Sequence, residues 1–270
     1  MLLAASTLPA QEKNREPTEP YQIEGLRSAF CVQLLLNPAA ARKAIPENYR
    51  PLSAAQAGEL HPAVRGVVKD QPEFATWTPS RLCLYALDTL RGPGFSFASK
   101  NGRKPLLFGV WTATAAAAAG GRPRDVALLV LSNSGHLVHY AKNVGAQVRG
   151  AKLVMGKAAP GEEDTIMAPP ADRFQVNVGK TSVTWDRRPS TSGSKTAGQV
   201  ELAWSAGERG GPAGGRLVLQ PVWTLGMAGS FRVIGKDDFA AALKTSPIHF
   251  VGPQYEGGGG SLQLMGLERP

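Results

Sequence analysis

The sequence predicts an α+β fold, predominantly antiparallel β, with a few short helices. Three observations point there. Glycine (31) and proline (21) together approach a fifth of the 270 residues, which leaves little room for long helices. The apolar segments are strand-sized and bounded by Gly, Pro or Asn. The 43% apolar share is enough for a core, and no repeat or shift in composition marks a boundary. Residues 21–270 are therefore read as a single domain, preceded by a leader over 1–20.

That leader is polar from Gln11 to Pro20. Its first residues, MLLAASTLPAQ, resemble the end of a signal peptide closing on Leu8-Pro9-Ala10, and a disordered tail is the alternative. Cytoplasmic and exported locations both stay open. Ser28–Leu36 (SAFCVQLLL) is a continuous apolar run suited to a buried strand. Asn37 then supplies an N-cap and Pro38 a first helical residue, so AAARKAI forms a short helix that Pro46 stops. Val64–Val68 reads as a short strand. Ser80–Leu90 alternates partly and predicts a strand that Gly92-Pro93-Gly94 ends. Leu106–Ala117 and Val126–Leu131 are strands, and Gly109–Ala119 can pair with Val126–Leu131 as a hairpin through the turn Gly120–Asp125.

Further strands are expected at Arg173–Val178 and Thr181–Trp185, joined at Gly179-Lys180. A Ser/Thr/Gly loop follows at Pro189–Gly198. Gln199–Trp204 and Arg216–Val222 are strands flanking a Gly-rich turn, Ala206–Gly215. Ser230–Ile234 is a strand and Lys236–Lys244 a helix. Ile248–Val251 and Ser261–Leu267 close the chain, with the spacer Gly257–Gly260 between them.

Several function classes lose ground. The formal charge is +9, yet the basic residues are scattered and lack interleaved aromatics, so no nucleic-acid partner is expected. No stretch approaches the ~20 apolar residues of a membrane span. Cys31 and Cys83 lack metal-ligand spacing and read as core residues, able to form one disulfide if the protein is exported. No G-x-S-x-G, P-loop or G-x-G-x-x-G stands in its required context. His136 and His139 would share a face only on a helix, and no nearby carboxylate completes a set, so no metal is expected.

What remains is Ser132–Gly156, which gathers Lys142, Arg149 and Lys152. An amine attacks a ketone only when unprotonated, a state that burial or a neighbouring cation favours. Lys152 stands against an apolar run, three residues from Arg149, with a strand lysine in solvent as the plainer reading.

Two segments, VQLLLNPAAARKAIPENYRPL (Val32–Leu52) and VRGAKLVMG (Val148–Gly156), resemble the acetoacetate decarboxylase-like family. The resemblance implies a cone-shaped β-barrel and a carbon–carbon lyase that forms a lysine Schiff base with a β-keto acid. It also implies a second lysine beside the first. Aligned on Lys152-Leu153, this chain has Ala151 at the Schiff-base position and keeps only Lys152 of the pair. The expected site is catalytic Lys152 with Arg149 holding a carboxylate, and Trp111, Tyr140 and Met155 lining the barrel interior. The expected partner is a small keto acid or related carboxylate, with no cofactor, and a homo-oligomer is compatible. The alternative is a non-catalytic barrel that binds a small apolar or anionic molecule.

Overall fold

The structure is a computed structural model, and it describes residues 21–57, 62–92, 95–98, 106–118, 123–143, 147–157, 172–205, 212–246, 249–256 and 260–265. Strand β1 (Tyr21–Leu36) leads into α1 (Pro38–Ala44) and β2 (Tyr49–Pro51). The Asn37 side chain accepts the Ala40 N–H at 2.8 Å, and Pro38 opens the helix. That is the predicted start: an extended cap residue satisfies a donor that the first turn leaves free.

Helix α2 (Pro62–Asp70) occupies the place where a strand at Val64–Val68 was expected. Val64, Val67 and Val68 have the i, i+3, i+4 spacing of a helix, and Pro62 is preset for its first turn. These valines pack on Leu35 together with Phe74 and Trp77, around a 3-10 turn at Pro72–Thr76. Strands β3 (Thr78–Gly92), β4 (Phe95–Ala98), β5 (Leu106–Ala117) and β6 (Arg124–Ser132) follow. The expected hairpin is present, since β5 and β6 pair antiparallel from Phe108↔Ser132 to Ala115↔Arg124. Next come α3 (Gly135–Asn143), β7 (Val148–Gly150), β8 (Lys152–Lys157) and β9 (Asp172–Val178).

Strand β10 (Thr181–Ser205) runs through the segment Pro189–Gly198 that was expected to be a loop. It pairs with β11 (Pro212–Ile234), and the ladder shifts register at Pro189/Gly193 and Thr196/Gly198. Those shifts absorb the proline and the small residues as bulges, so the strand continues past them. Helix α4 (Asp238–Lys244), β12 (His249–Glu256) and β13 (Gly260–Met265) complete the described chain.

The strands form one sheet in the order β12-β11-β13-β1-β3-β5-β6-β10-β9-β8, with β2, β4 and β7 attached to β5, β3 and β6. Pairing is antiparallel except for β6 with β7 and β6 with β10. The class is the α+β, mainly antiparallel one expected. The path has two ends, β12 and β8, so the order by itself does not establish a closed cone. No helix among the described residues is long and apolar enough to cross a membrane.

A main core spans the molecule from β1 to α4. Val32, Leu34, Leu82, Leu84, Trp111 and Leu131 come from the first strands, and Leu153, Phe174, Val183 and Trp185 from the later ones. Phe30 of β1 stacks on Phe174 of β9 with ring centroids 3.7 Å apart, joining the two sets across the interior. A disulfide joins Cys31 and Cys83, which lie opposite one another on β1 and β3 and are both buried. The two cysteines are 52 residues apart, and closing such a loop in the unfolded chain contributes about 4 kcal/mol on the chain-entropy account.

Candidate functional site

The geometry of Ser132–Gly156 follows from the period of its strands. Successive side chains of a strand point to opposite faces. Ala151 is buried and belongs to the core, as does Leu153, and Met155 packs against that core. Lys152 is exposed, and Val154 and Gly156 follow it on the outer face. The register carries this division across four strands. Leu153 lies opposite Val176, Val176 opposite Val183 and Val183 opposite Val233. Met155, Phe174, Trp185 and Phe231 make the next inner row.

The outer rows are polar. Lys152, Asn177, Ser182 and Ile234 form one, and Val154, Gln175, Thr184 and Arg232 the next. Gln175 Nε2 donates to Asn177 Oδ1 and Ser182 Oγ, each at 3.1 Å. Arg173 makes a two-pronged pair with Asp186 at 2.7 and 2.8 Å, and that carboxylate raises the guanidinium above its ordinary value. Lys152 therefore stands on a solvated polar face, without the burial that an imine-forming amine requires.

Arg149 is on β7, half exposed, and its Nη1 lies 3.4 Å from Asp237 Oδ2. Asp237 is the N-cap of α4 and accepts the Ala240 N–H at 2.8 Å. Partial burial pushes its carboxyl up, but the Ala240 N–H and Arg149 outweigh that and hold it below the ordinary aspartate range. Arg149 thus ties β7 to α4 instead of reaching inward.

Trp111 is a core residue. Its Nε1 donates to Ser80 Oγ at 2.8 Å, Ser80 Oγ donates to the Thr112 carbonyl at 2.7 Å, and its ring meets Phe239 of α4 at 5.2 Å. Tyr140 falls within α3, and its side chain lies outside the described residues. His136, His139 and Lys142 share α3 and are exposed, and no His/Cys/Asp/Glu group among the described residues could hold a metal ion.

A residue that sequence reasoning did not single out is Trp185. It is 1% exposed on the inner face, and its Nε1 has no hydrogen-bond partner among the described residues. Its ring neighbours are Phe174 at 5.9 Å and Phe231 at 6.5 Å. The only signal available was alternation: Phe174, Val176 and Val178 on one strand, Val183 and Trp185 on the next. Buried polar residues elsewhere among the described ones are all Ser or Thr, and no Lys, Arg, Asp or Glu is buried there.

No family model matches the sequence, and no curated protein does. Solved structures do. The enduracididine biosynthesis enzyme MppR complexed with pyruvate aligns with a TM-score of 0.55 at 14% identity, over 95% of this chain and 92% of that one. An acetoacetate decarboxylase aligns with a TM-score of 0.53 at 12% identity, over 93% and 89% of the two chains. The chain has the acetoacetate decarboxylase-like fold. The acetoacetate decarboxylase of Legionella pneumophila subsp. pneumophila strain Philadelphia 1 is similar as well, with a TM-score of 0.51 at 12% identity over 98% and 97%. The acetoacetate decarboxylase-like resemblance read from Val32–Leu52 and Val148–Gly156 thus holds at the level of the fold, at identities where the sequences have largely diverged.

Proposed function

We propose that this chain is a divergent acetoacetate decarboxylase-like protein that holds a small keto acid or related carboxylate in its interior, without an imine on Lys152. One observation carries this reading. The segment that resembles the family's lysine pair presents Ala151, not an amine, to the interior, while Lys152 faces solvent. The fold shared with a pyruvate complex of MppR supports the class of ligand. Trp185 Nε1, a buried donor without a protein partner among the described residues, is the group we assign to the ligand's carbonyl oxygen. A buried donor left unpaired is unfavourable, so an acceptor that reaches it gains what the protein does not supply.

Residues 21–270 act as one domain in this reading, and the sheet closes as a cone around the ligand. Pairing of β12 with β1 and of β11 with β10, beyond the main path, supports closure. The test is a thermal-shift series with pyruvate and acetoacetate, alongside intact-mass analysis after borohydride treatment. Stabilisation without a covalent adduct is the expected result. An adduct mapped to Lys152 would overturn the non-covalent reading, and no shift with any keto acid would remove the ligand class.

A further inference from the structure

Where β10 and β11 meet α4, the surface concentrates cations. Lys152 shares a row with Asn177, Ser182 and Ile234. Lys180 sits in the turn joining Val178 to Thr181, and Arg232 and Lys236 flank Ile234 on either side. Lys244 folds back from α4 so that its Nζ donates to the Gly235 carbonyl at 2.7 Å. Arg149 reaches Asp237 in the same corner. All six cations are exposed. The carboxylates in this corner are Asp237, paired with Arg149, and Asp238, paired with Lys43 at 2.8 Å, so the cations outnumber them.

Between Arg232 and Lys236 in the chain, and in one row with Lys152, stands Ile234, 60% exposed and the one large hydrophobic exposed among the described residues. Gly235, at φ 145°, follows it outside the strand, so the isoleucine is the last residue of β11. Cations alone fit any polyanion. An exposed aliphatic side chain among them fits a bilayer, where the ammonium groups meet lipid phosphates and the apolar group enters the headgroup boundary. Among the described residues no aromatic side chain is exposed there to stack on a nucleic-acid base.

We infer that this face docks on an anionic lipid bilayer, with Ile234 entering the headgroup layer and Lys152, Lys180 and Lys236 on the lipid phosphates. The role is peripheral and independent of any interior ligand.

The experiment is co-sedimentation of the full chain with vesicles of pure phosphatidylcholine, or of equal parts phosphatidylcholine and phosphatidylglycerol, with and without added salt. Binding should require phosphatidylglycerol and fall as salt rises. The variant Lys152→Glu/Lys180→Glu/Lys236→Glu should lose about a hundredfold or more in partitioning, and Ile234→Ser about tenfold. A control, Arg50→Glu/Lys69→Glu/Lys142→Glu, changes net charge equally on other elements and should keep most of the binding. Circular dichroism identifies any variant that fails to fold, and Ile234→Ser, at an exposed site, stays informative if the charge variants do not fold. The proposal falls if anionic vesicles are not bound, or if neutral vesicles bind equally. It also falls if both charge variants lose binding alike. Unchanged binding by Ile234→Ser overturns it as well, because the contact is then charge alone and no side chain enters the headgroup layer.

Discussion

The four strands β1, β3, β5 and β6 differ from β8, β9, β10 and β11 in how many of their faces are covered. In the first group both faces are buried. Val32, Leu34, Leu82 and Leu84 face the main core, and Cys31, Leu35, Cys83, Tyr85, Phe108 and Val110 are buried on the other side. In the second group, among the side chains that are described, one face is buried and the other carries Lys152, Gln175, Asn177, Ser182 and Thr184. Strands buried on both faces read as continuous apolar runs, and strands solvated on one face read as alternation. The difference decides where chemistry can sit. In a one-faced strand, moving one residue along the chain exchanges interior for water, and Ala151 and Lys152 fall on opposite sides of that step.

The largest effect expected from breaking this division is at Trp185. Trp185→Ala should destabilise by about 4 kcal/mol, through lost burial and the cavity left behind. Thr184→Ala, one residue away on the outer face, should stay within about 0.5 kcal/mol. Urea unfolding of the two variants measures the contrast, and equal losses would show that β10 is not one-faced.

Ala151→Lys should come next. It forces an amine into an apolar interior, at a loss of about 3 kcal/mol. In exchange, the buried amine should trap pyruvate or acetoacetate as a borohydride-stable adduct that the parent chain does not form. If the variant folds and traps nothing, the interior at Ala151 does not admit a keto acid.

Smaller still is Asp237→Ala, which removes the N-cap of α4 and should cost about 1 kcal/mol. Its carboxyl lies lower in the folded than in the unfolded chain, so its contribution is full above the unfolded value. The contribution disappears as pH falls below about 4. The difference between parent and variant, measured against pH, should shrink in that window, and a constant difference would mean that the ionised cap is not what stabilises α4.

The smallest expected effect is Lys152→Ala, within about 0.5 kcal/mol, with keto-acid binding unchanged. Loss of interior ligand binding in that variant would place Lys152 in the site after all.

Much of the two-faced half was legible in the sequence. Leu106–Ala117 appears as a strand with the expected ends, and Asn37-Pro38 starts α1 as predicted. Continuous apolar runs and local caps are decided within a few residues, so a sequence shows them. The segments Val64–Val68 and Pro189–Gly198 were misread for opposite reasons. Three valines suit either period, and only the partners Leu35, Phe74 and Trp77 decide for the helix. Pro189 and the glycines argue against a strand locally, and pairing with β11 through two bulges overrides them. The candidate site is a different case. Clustering of Lys142, Arg149 and Lys152 drew attention to charge, whereas the strand period applied to AKLVM already assigns Lys152 and Ala151 to opposite faces. Trp185 could not be singled out, because its unpaired N–H depends on what surrounds it in space.

The Cys31–Cys83 bridge bears on how the molecule breathes. It clamps β1 to β3 between two buried faces, so this pair of strands opens only with the whole protein. Slow amide exchange belongs there. Local opening is left to the strands solvated on one side, and among them to β8 at one end of the sheet path. The covalent link thus gives the sheet one wall that is held shut, opposite in the strand order to the looser edge that follows Ala151.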